Sequence, residues 1–169
     1  CTFCTFYRDR PFRIKSVDEL TDHMAQVRAF LGQGLSLRRT LFLADANAVI
    51  IPQARLLPLM DAVNGAFPVG PGQDLNGIYA FISAPDALRK SAADFRELAQ
   101  RNLRRVYVGL ETGHDPLRTF LAKQGQAEDV LAAVRTIKAS GVSVGLIFMV
   151  GIGGTHFRDA HFRDTAALL

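Results

Sequence analysis

The chain has no tryptophan, two cysteines and no apolar run of membrane-spanning length. Two cysteines so close together are no disulfide framework, which points to a reducing cytoplasm rather than export. The longest apolar run, Val144 to Ile152, is broken by Gly145 and Gly151 and suits a buried strand. There is no low-complexity segment and no long repeat. Basic residues are scattered, with Arg38-Arg39, Arg89-Lys90 and Arg104-Arg105 as the only doublets. No basic stripe is interleaved with aromatics, so nucleic-acid binding by this segment is not expected. What remains is ordinary globular material: 169 residues, 49% hydrophobic, net charge +4, enough for one core.

Both cysteines fall in the first four residues, Cys1-Thr2-Phe3-Cys4. A C-x-x-C pair places two thiolates within reach of one soft metal centre or one disulfide. A redox dithiol of this spacing normally opens a helix, and Asp9-Arg10-Pro11 follows too soon for a long one. Structural zinc needs four ligands, and no second pair completes the set. An iron–sulfur cluster uses cysteine thiolates, but two are also too few. A pair of ordinary thiols is the remaining alternative. The sequence starts at Cys1 with no lead-in, so it reads as an excerpt whose further ligands lie upstream.

Downstream, Ser16-Val17-Asp18-Glu19 reads as a capping box, followed by Leu20, Met24, Val27 and Leu31 on one helix face and a stop at Gly32 or Gly34. Leu41 to Ala44 reads as a strand ending at Asp45. A helix with Leu56, Leu59, Met60 and Val63 should begin near Arg55, because Pro58 is tolerated only in a first turn. Ile78 to Ile82 is the next strand, ending at Ser83. Pro85-Asp86 breaks the chain before a helix with Phe95, Leu98 and Leu103. Val106 to Leu110 is a strand ending at Glu111-Thr112-Gly113. Asp115 is the expected N-cap of a short helix with Pro116 at its first position. Val130 to Ile137 marks a longer helix, Val142 to Val150 a strand, and the remainder a helix.

This strand–helix alternation predicts a parallel α/β sheet with helices outside. The continuous apolar strands suggest cover on both faces. Ligands bind at the carboxyl edge of such sheets, where the predicted strand ends place Asp45, Ser83, Glu111 and Gly151. The Cys1–Cys4 loop belongs on the same edge. The repeated His156-Phe157-Arg158-Asp159 and His161-Phe162-Arg163-Asp164 turn away from each other on a helix and make a poor metal pair.

With these residues in order, the chain resembles the radical S-adenosylmethionine superfamily. Cys1-Thr2-Phe3-Cys4 is similar to the last two cysteines and the aromatic of that family's C-x-x-x-C-x-aromatic-C motif. The first cysteine would lie four positions before Cys1. Val108-Gly109-Leu110-Glu111-Thr112-Gly113 is similar to the "GLESG" segment of the branch with tRNA methylthiotransferases, the elongator catalytic subunit, coproporphyrinogen dehydrogenase and cobalamin-binding members. Phe148-Met149-Val150-Gly151-Ile152-Gly153-Gly154 resembles that branch's fifth-strand turn.

The resemblance implies a partial (β/α) TIM-like barrel over residues 1–169, a single domain lacking its first and last strands. It also implies a [4Fe–4S] cluster and S-adenosylmethionine, reductive cleavage to a 5′-deoxyadenosyl radical, and an electron donor such as flavodoxin or ferredoxin. Cys1 and Cys4 would be iron ligands, and Phe3, Ala44, Asp45, Ser83, Glu111, Thr112, Gly151 and Ile152 would contact the cofactor. Each has a plainer alternative. Asp45 and Ser83 suit helix caps, Glu111 an ion pair with a neighbouring arginine, Gly151 a plain turn, and Phe3 the core. A non-catalytic α/β binding domain is the alternative for the whole.

Overall fold

The computed structural model describes residues 1–5, 9, 11–44 and 47–169. Four strands, β1 (Leu41–Leu43), β2 (Ile78–Ile82), β3 (Leu103–Glu111) and β4 (Ser143–Phe148), form one sheet in sequential order. Every neighbouring pair is parallel, as the alternation requires. The helices are α1 (Val17–Leu31), α2 (Gln53–Ala66), α3 (Ala84–Ala87), α4 (Ala92–Gln100), α5 (Asp115–Phe120), α6 (Ala127–Lys138) and α7 (Gly154–Leu168).

Local signals explain most boundaries. The Ser16–Glu19 capping box forms and starts α1, and Gly32, at φ +49°, ends it. Several boundaries differ from the sequence reading, among them the following. Helix α2 starts at Gln53, so Pro58 sits in its second turn; burial of Leu56, Leu59, Met60 and Val63 on one face outweighs the lost backbone bond. Pro85 and Asp86 lie inside the short helix α3, because the Ser83 side chain caps it and proline is tolerated in a first turn. Leu103 opens β3 instead of closing the preceding helix; Asn102, at φ +67°, turns the chain between them.

The core lies between the helices and one sheet face. Ile78, Ala80, Ile82, Val106, Val108 and Leu110 are buried there against Leu56, Met60, Phe95, Leu98, Val130 and Ile137. The opposite face carries Phe42, Tyr79, Phe81 and Tyr107, with the Phe42 and Phe81 rings 4.8 Å apart. These side chains are only partly covered. Cover on both faces was expected, and the strands instead alternate between a buried and a half-open face. Apolar composition alone does not separate the two, because aromatic side chains tolerate a half-buried surface. Among the described residues no helix is long and apolar enough to cross a membrane.

Candidate cofactor site at the carboxyl edge of the sheet

The site is built around the end of β3. Glu111 adopts φ +61°, the left-handed region that disfavours a residue with a Cβ. The Thr112 amide donates to the Leu110 carbonyl at 2.8 Å, closing a tight γ-turn over Glu111. The register against β4 shifts between Gly109 and Glu111, and the Met149 amide then bonds the Glu111 carbonyl at 3.0 Å. This kink sends the Glu111 carboxylate toward Lys123, whose Nζ lies 3.1 Å from Oε1. Gly109 makes the room: a Cβ there would stand 2.5 Å from Glu111 Oε1 and 2.9 Å from Lys123 Nζ. The ion-pair partner is thus a lysine twelve positions downstream, not a neighbouring arginine.

Lys123 is placed by the way α5 ends. Ala122 takes φ +50°, its amide donates to the Thr119 carbonyl at 3.0 Å, and the Lys123 amide reaches the Arg118 carbonyl at 2.9 Å. This is a Schellman stop with alanine in the position usually held by glycine. The helix begins one residue earlier than expected, with His114 as N-cap and Asp115 as its first residue. The Asp115 carboxylate accepts the Ala127 amide instead, at the entry to α6.

Arg118, also on α5, is fully buried and donates to four carbonyls: Leu110, Thr112, Gln124 and Gly125. Burial pulls its pKa down, and the charges of Asp115, Asp129 and Glu111 oppose that shift.

A second set of contacts ties the strand end to α7. Thr112 is fully buried; its hydroxyl accepts the His114 amide at 3.0 Å and lies 2.8 Å from His161 Nδ1. The Gly113 amide donates to Thr165 Oγ1 at 2.9 Å. Gly113 abuts α7 so closely that a Cβ would come within 2.6 Å of the Asp164 carbonyl oxygen. His114 Nδ1 meets Asp164 Oδ2 at 2.6 Å, and Arg163 Nε meets the other carboxylate oxygen at 2.8 Å. Those bonds, Arg163 first and His114 second, hold the Asp164 carboxyl below its ordinary value.

The N-terminal segment reaches the same edge. The Thr2 amide and hydroxyl both donate to the Leu121 carbonyl, at 2.9 and 3.2 Å. Cys1 and Cys4 are free and exposed. A cleft of about 210 Å³ has Cys1, Ser83, Gly109, Arg118 and Lys123 among its walls.

Cys1, Ser83 and Lys123 therefore line one cleft, with Glu111 joined to it through its ion pair with Lys123. The Ser83 hydroxyl also caps α3, accepting the Asp86 amide at 3.3 Å. Thr112 points away from the cleft into the contact with α7. Gly151, at φ +78°, and Ile152 form the turn after β4, and Gly151 is exposed. Phe3 is 37% exposed and is not core. Ala44 follows β1 directly and is exposed; Asp45 lies outside the described residues.

Sequence reasoning missed Lys123 and Arg118. Arg118 sits between Leu117 and the apolar positions of a short helix and reads as a solvated face. Only the Ala122-Lys123-Gln124-Gly125 stop, short and followed by another helix, hints that the chain doubles back here.

A four-stranded parallel sheet with outer helices and a polar, thiol-bearing mouth at its carboxyl edge is the architecture of a (β/α)-barrel cofactor domain. The family model of the radical SAM superfamily matches residues 1–169, and the chain belongs to that superfamily. Its members are enzymes that use a [4Fe–4S] cluster and S-adenosylmethionine with a reductant. A comparison with curated proteins finds no match.

Among solved structures, the fold is similar to the cobalamin-dependent S-adenosylmethionine radical enzyme OxsB with aqua-cobalamin and S-adenosylmethionine bound. That match has TM-score 0.71 and 15% identity and covers 100% of this chain and 24% of OxsB. It is also similar to HydG, a maturase of the [FeFe]-hydrogenase, at TM-score 0.65 and 14% identity, covering 99% of this chain and 36% of HydG. The chain thus spans well under half the length of either.

Proposed function

We propose that this chain is the cofactor-binding core of an enzyme that binds a [4Fe–4S] cluster through Cys1 and Cys4 and S-adenosylmethionine beside it. The donor chemistry fits: both thiols are exposed and engaged in no disulfide, and Cys1 lines the cleft. Among the described residues no group of three potential metal ligands is assembled. The two cysteines therefore contribute two ligands, and the motif's third falls four positions before Cys1. When bound, the cluster supplies one electron to the sulfonium of S-adenosylmethionine. In this reading the four-stranded sheet is the middle of a barrel domain whose remaining strands cover the half-open aromatic face.

The chain's own residues orient the cofactor. An amino-acid group carries an ammonium and a carboxylate, and the Glu111–Lys123 pair offers the opposite charges beside the cleft that Lys123 lines. That pair is the observation that carries the proposal. Glu111 accepts from the ammonium, Lys123 donates to the carboxylate, and Gly109 keeps the wall flat enough for both. Gly151 and Ile152, on the turn after β4, lie on the same edge and offer bare backbone and an apolar surface to a purine. Free thiols suit a reducing compartment, the cytoplasm, and flavodoxin or ferredoxin is the fitting class of electron donor.

The test is anaerobic reconstitution of the full-length protein with iron and sulfide, followed by equilibrium titration with S-adenosylmethionine. A brown protein should form. Glu111→Gln should weaken binding by roughly ten- to a hundredfold, the value of a charge-assisted contact, with cluster absorption unchanged. A colourless protein would favour a non-catalytic binding domain.

A further inference from the structure

Arg118 does something unusual for a buried cation. Its closest carboxylate contact is Asp115 Oδ1 at 3.7 Å, looser than any of its bonds to backbone. Nη1 donates to the carbonyls of Leu110 at 2.6 Å and Thr112 at 3.3 Å, the residues immediately before and after Glu111. Nη2 and Nε donate to the carbonyls of Gln124 at 3.2 Å and Gly125 at 3.0 Å, the two residues immediately after Lys123. One planar group thus grips the backbone beside both members of the ion pair.

We infer that Arg118 is the positioning residue that sets the spacing and orientation of the Glu111–Lys123 pair for S-adenosylmethionine. This rests on the proposal that the pair receives the cofactor's amino-acid end. A left-handed glutamate is strained and persists only where its surroundings over-determine it. The γ-turn bond is one constraint, and the two Arg118 bonds that straddle Glu111 are another. Lys123 has the same need, because it follows a left-handed alanine and would swing free if Gln124 and Gly125 were released. A guanidinium suits the task because its five N–H groups diverge in a fixed plane. A lysine ammonium keeps the charge but cannot span two separated pairs of carbonyls.

The test uses the full-length, cluster-reconstituted protein and equilibrium titration with S-adenosylmethionine, with amide hydrogen exchange on the cluster-free protein as a second readout. Arg118→Lys should weaken binding about tenfold, the scale of coupling within one hydrogen-bond network. Cluster absorption should hold, and the Thr112 amide should exchange faster. Val130→Ala, a core truncation on α6, supplies a comparator that lowers thermal stability without touching the clamp and should leave affinity unchanged. If the lysine variant does not fold, Arg118→Gln, which buries no charge, is measured in the same way.

In a Glu111→Gln background, Arg118→Lys should add a smaller loss than it causes alone, because only Lys123 then remains to be positioned. Wild-type affinity in Arg118→Lys, with Glu111→Gln clearly weakened, would overturn the assignment, as would two losses that simply add. Unchanged affinity in Glu111→Gln would instead remove the pair from the cofactor site and this role with it.

Discussion

Gly113→Ala tests whether the end of β3 is locked to α7. The alanine Cβ would stand 2.6 Å from the Asp164 carbonyl oxygen, 2.8 Å from its carbon and 2.9 Å from Thr165 Cα. All three are backbone atoms, so no side-chain rotation relieves the overlap and the helix must move. Overpacking of this kind costs about 1–3 kcal/mol. Displacing α7 also stretches the 2.9 Å bond from the Gly113 amide to Thr165, worth about 1 kcal/mol. The smaller entropy of the unfolded alanine chain returns about 0.4–1 kcal/mol. The net expectation is a loss of about 2 kcal/mol, read as a lower midpoint in urea unfolding.

Gly65→Ala is the control: that glycine is exposed near the end of α2 with nothing within 4 Å of the new Cβ. It should gain about 0.5–1 kcal/mol from helix propensity. If the two variants unfold within about 0.5 kcal/mol of each other, the close approach of β3 and α7 is not a constraint and the reasoning fails.

Two further outcomes are expected. Ala122→Gly should stabilise the protein by about 1 kcal/mol, because φ +50° suits glycine at a helix stop; a lower unfolding midpoint would contradict the Schellman geometry. The Asp164 carboxyl is held below its ordinary 3.8, so its contribution is fully present above that value and is lost as pH falls through the lower folded value. Thermal midpoints followed against pH should drop on that acid limb, and Asp164→Asn should flatten it; an unchanged limb would remove the His114–Asp164–Arg163 contacts from the acid response.

The parallel order of the four strands was legible because each apolar run ended on polar or glycine residues and was followed by a helical period. The edge that bears the site was legible for the same reason, since Ser83 and Glu111 mark strand ends whatever their chemistry. The partners inside the site were not. Lys123 faces Glu111 only because Ala122 turns left-handed, a conformation that its side chain disfavours and that no sequence pattern announces. Arg118 is buried because four backbone carbonyls, set by tertiary folding, replace water around its guanidinium. The aromatic face read as covered because hydropathy counts Phe42, Phe81 and Tyr107 as core, although a pleated surface accepts them half exposed.

On the role proposed for Glu111, its backbone sets stability and binding against each other at a single codon. At φ +61°, glycine would relieve about 1–2 kcal/mol of strain there, offset in part by loss of the contact with Lys123. A library at this position selected for resistance to heat or protease should therefore tolerate glycine, asparagine and aspartate and discard β-branched residues. The same library selected for retention of S-adenosylmethionine should keep glutamate. Ranking the two selections side by side separates what the fold asks of residue 111 from what the ligand asks, without a structure of any variant.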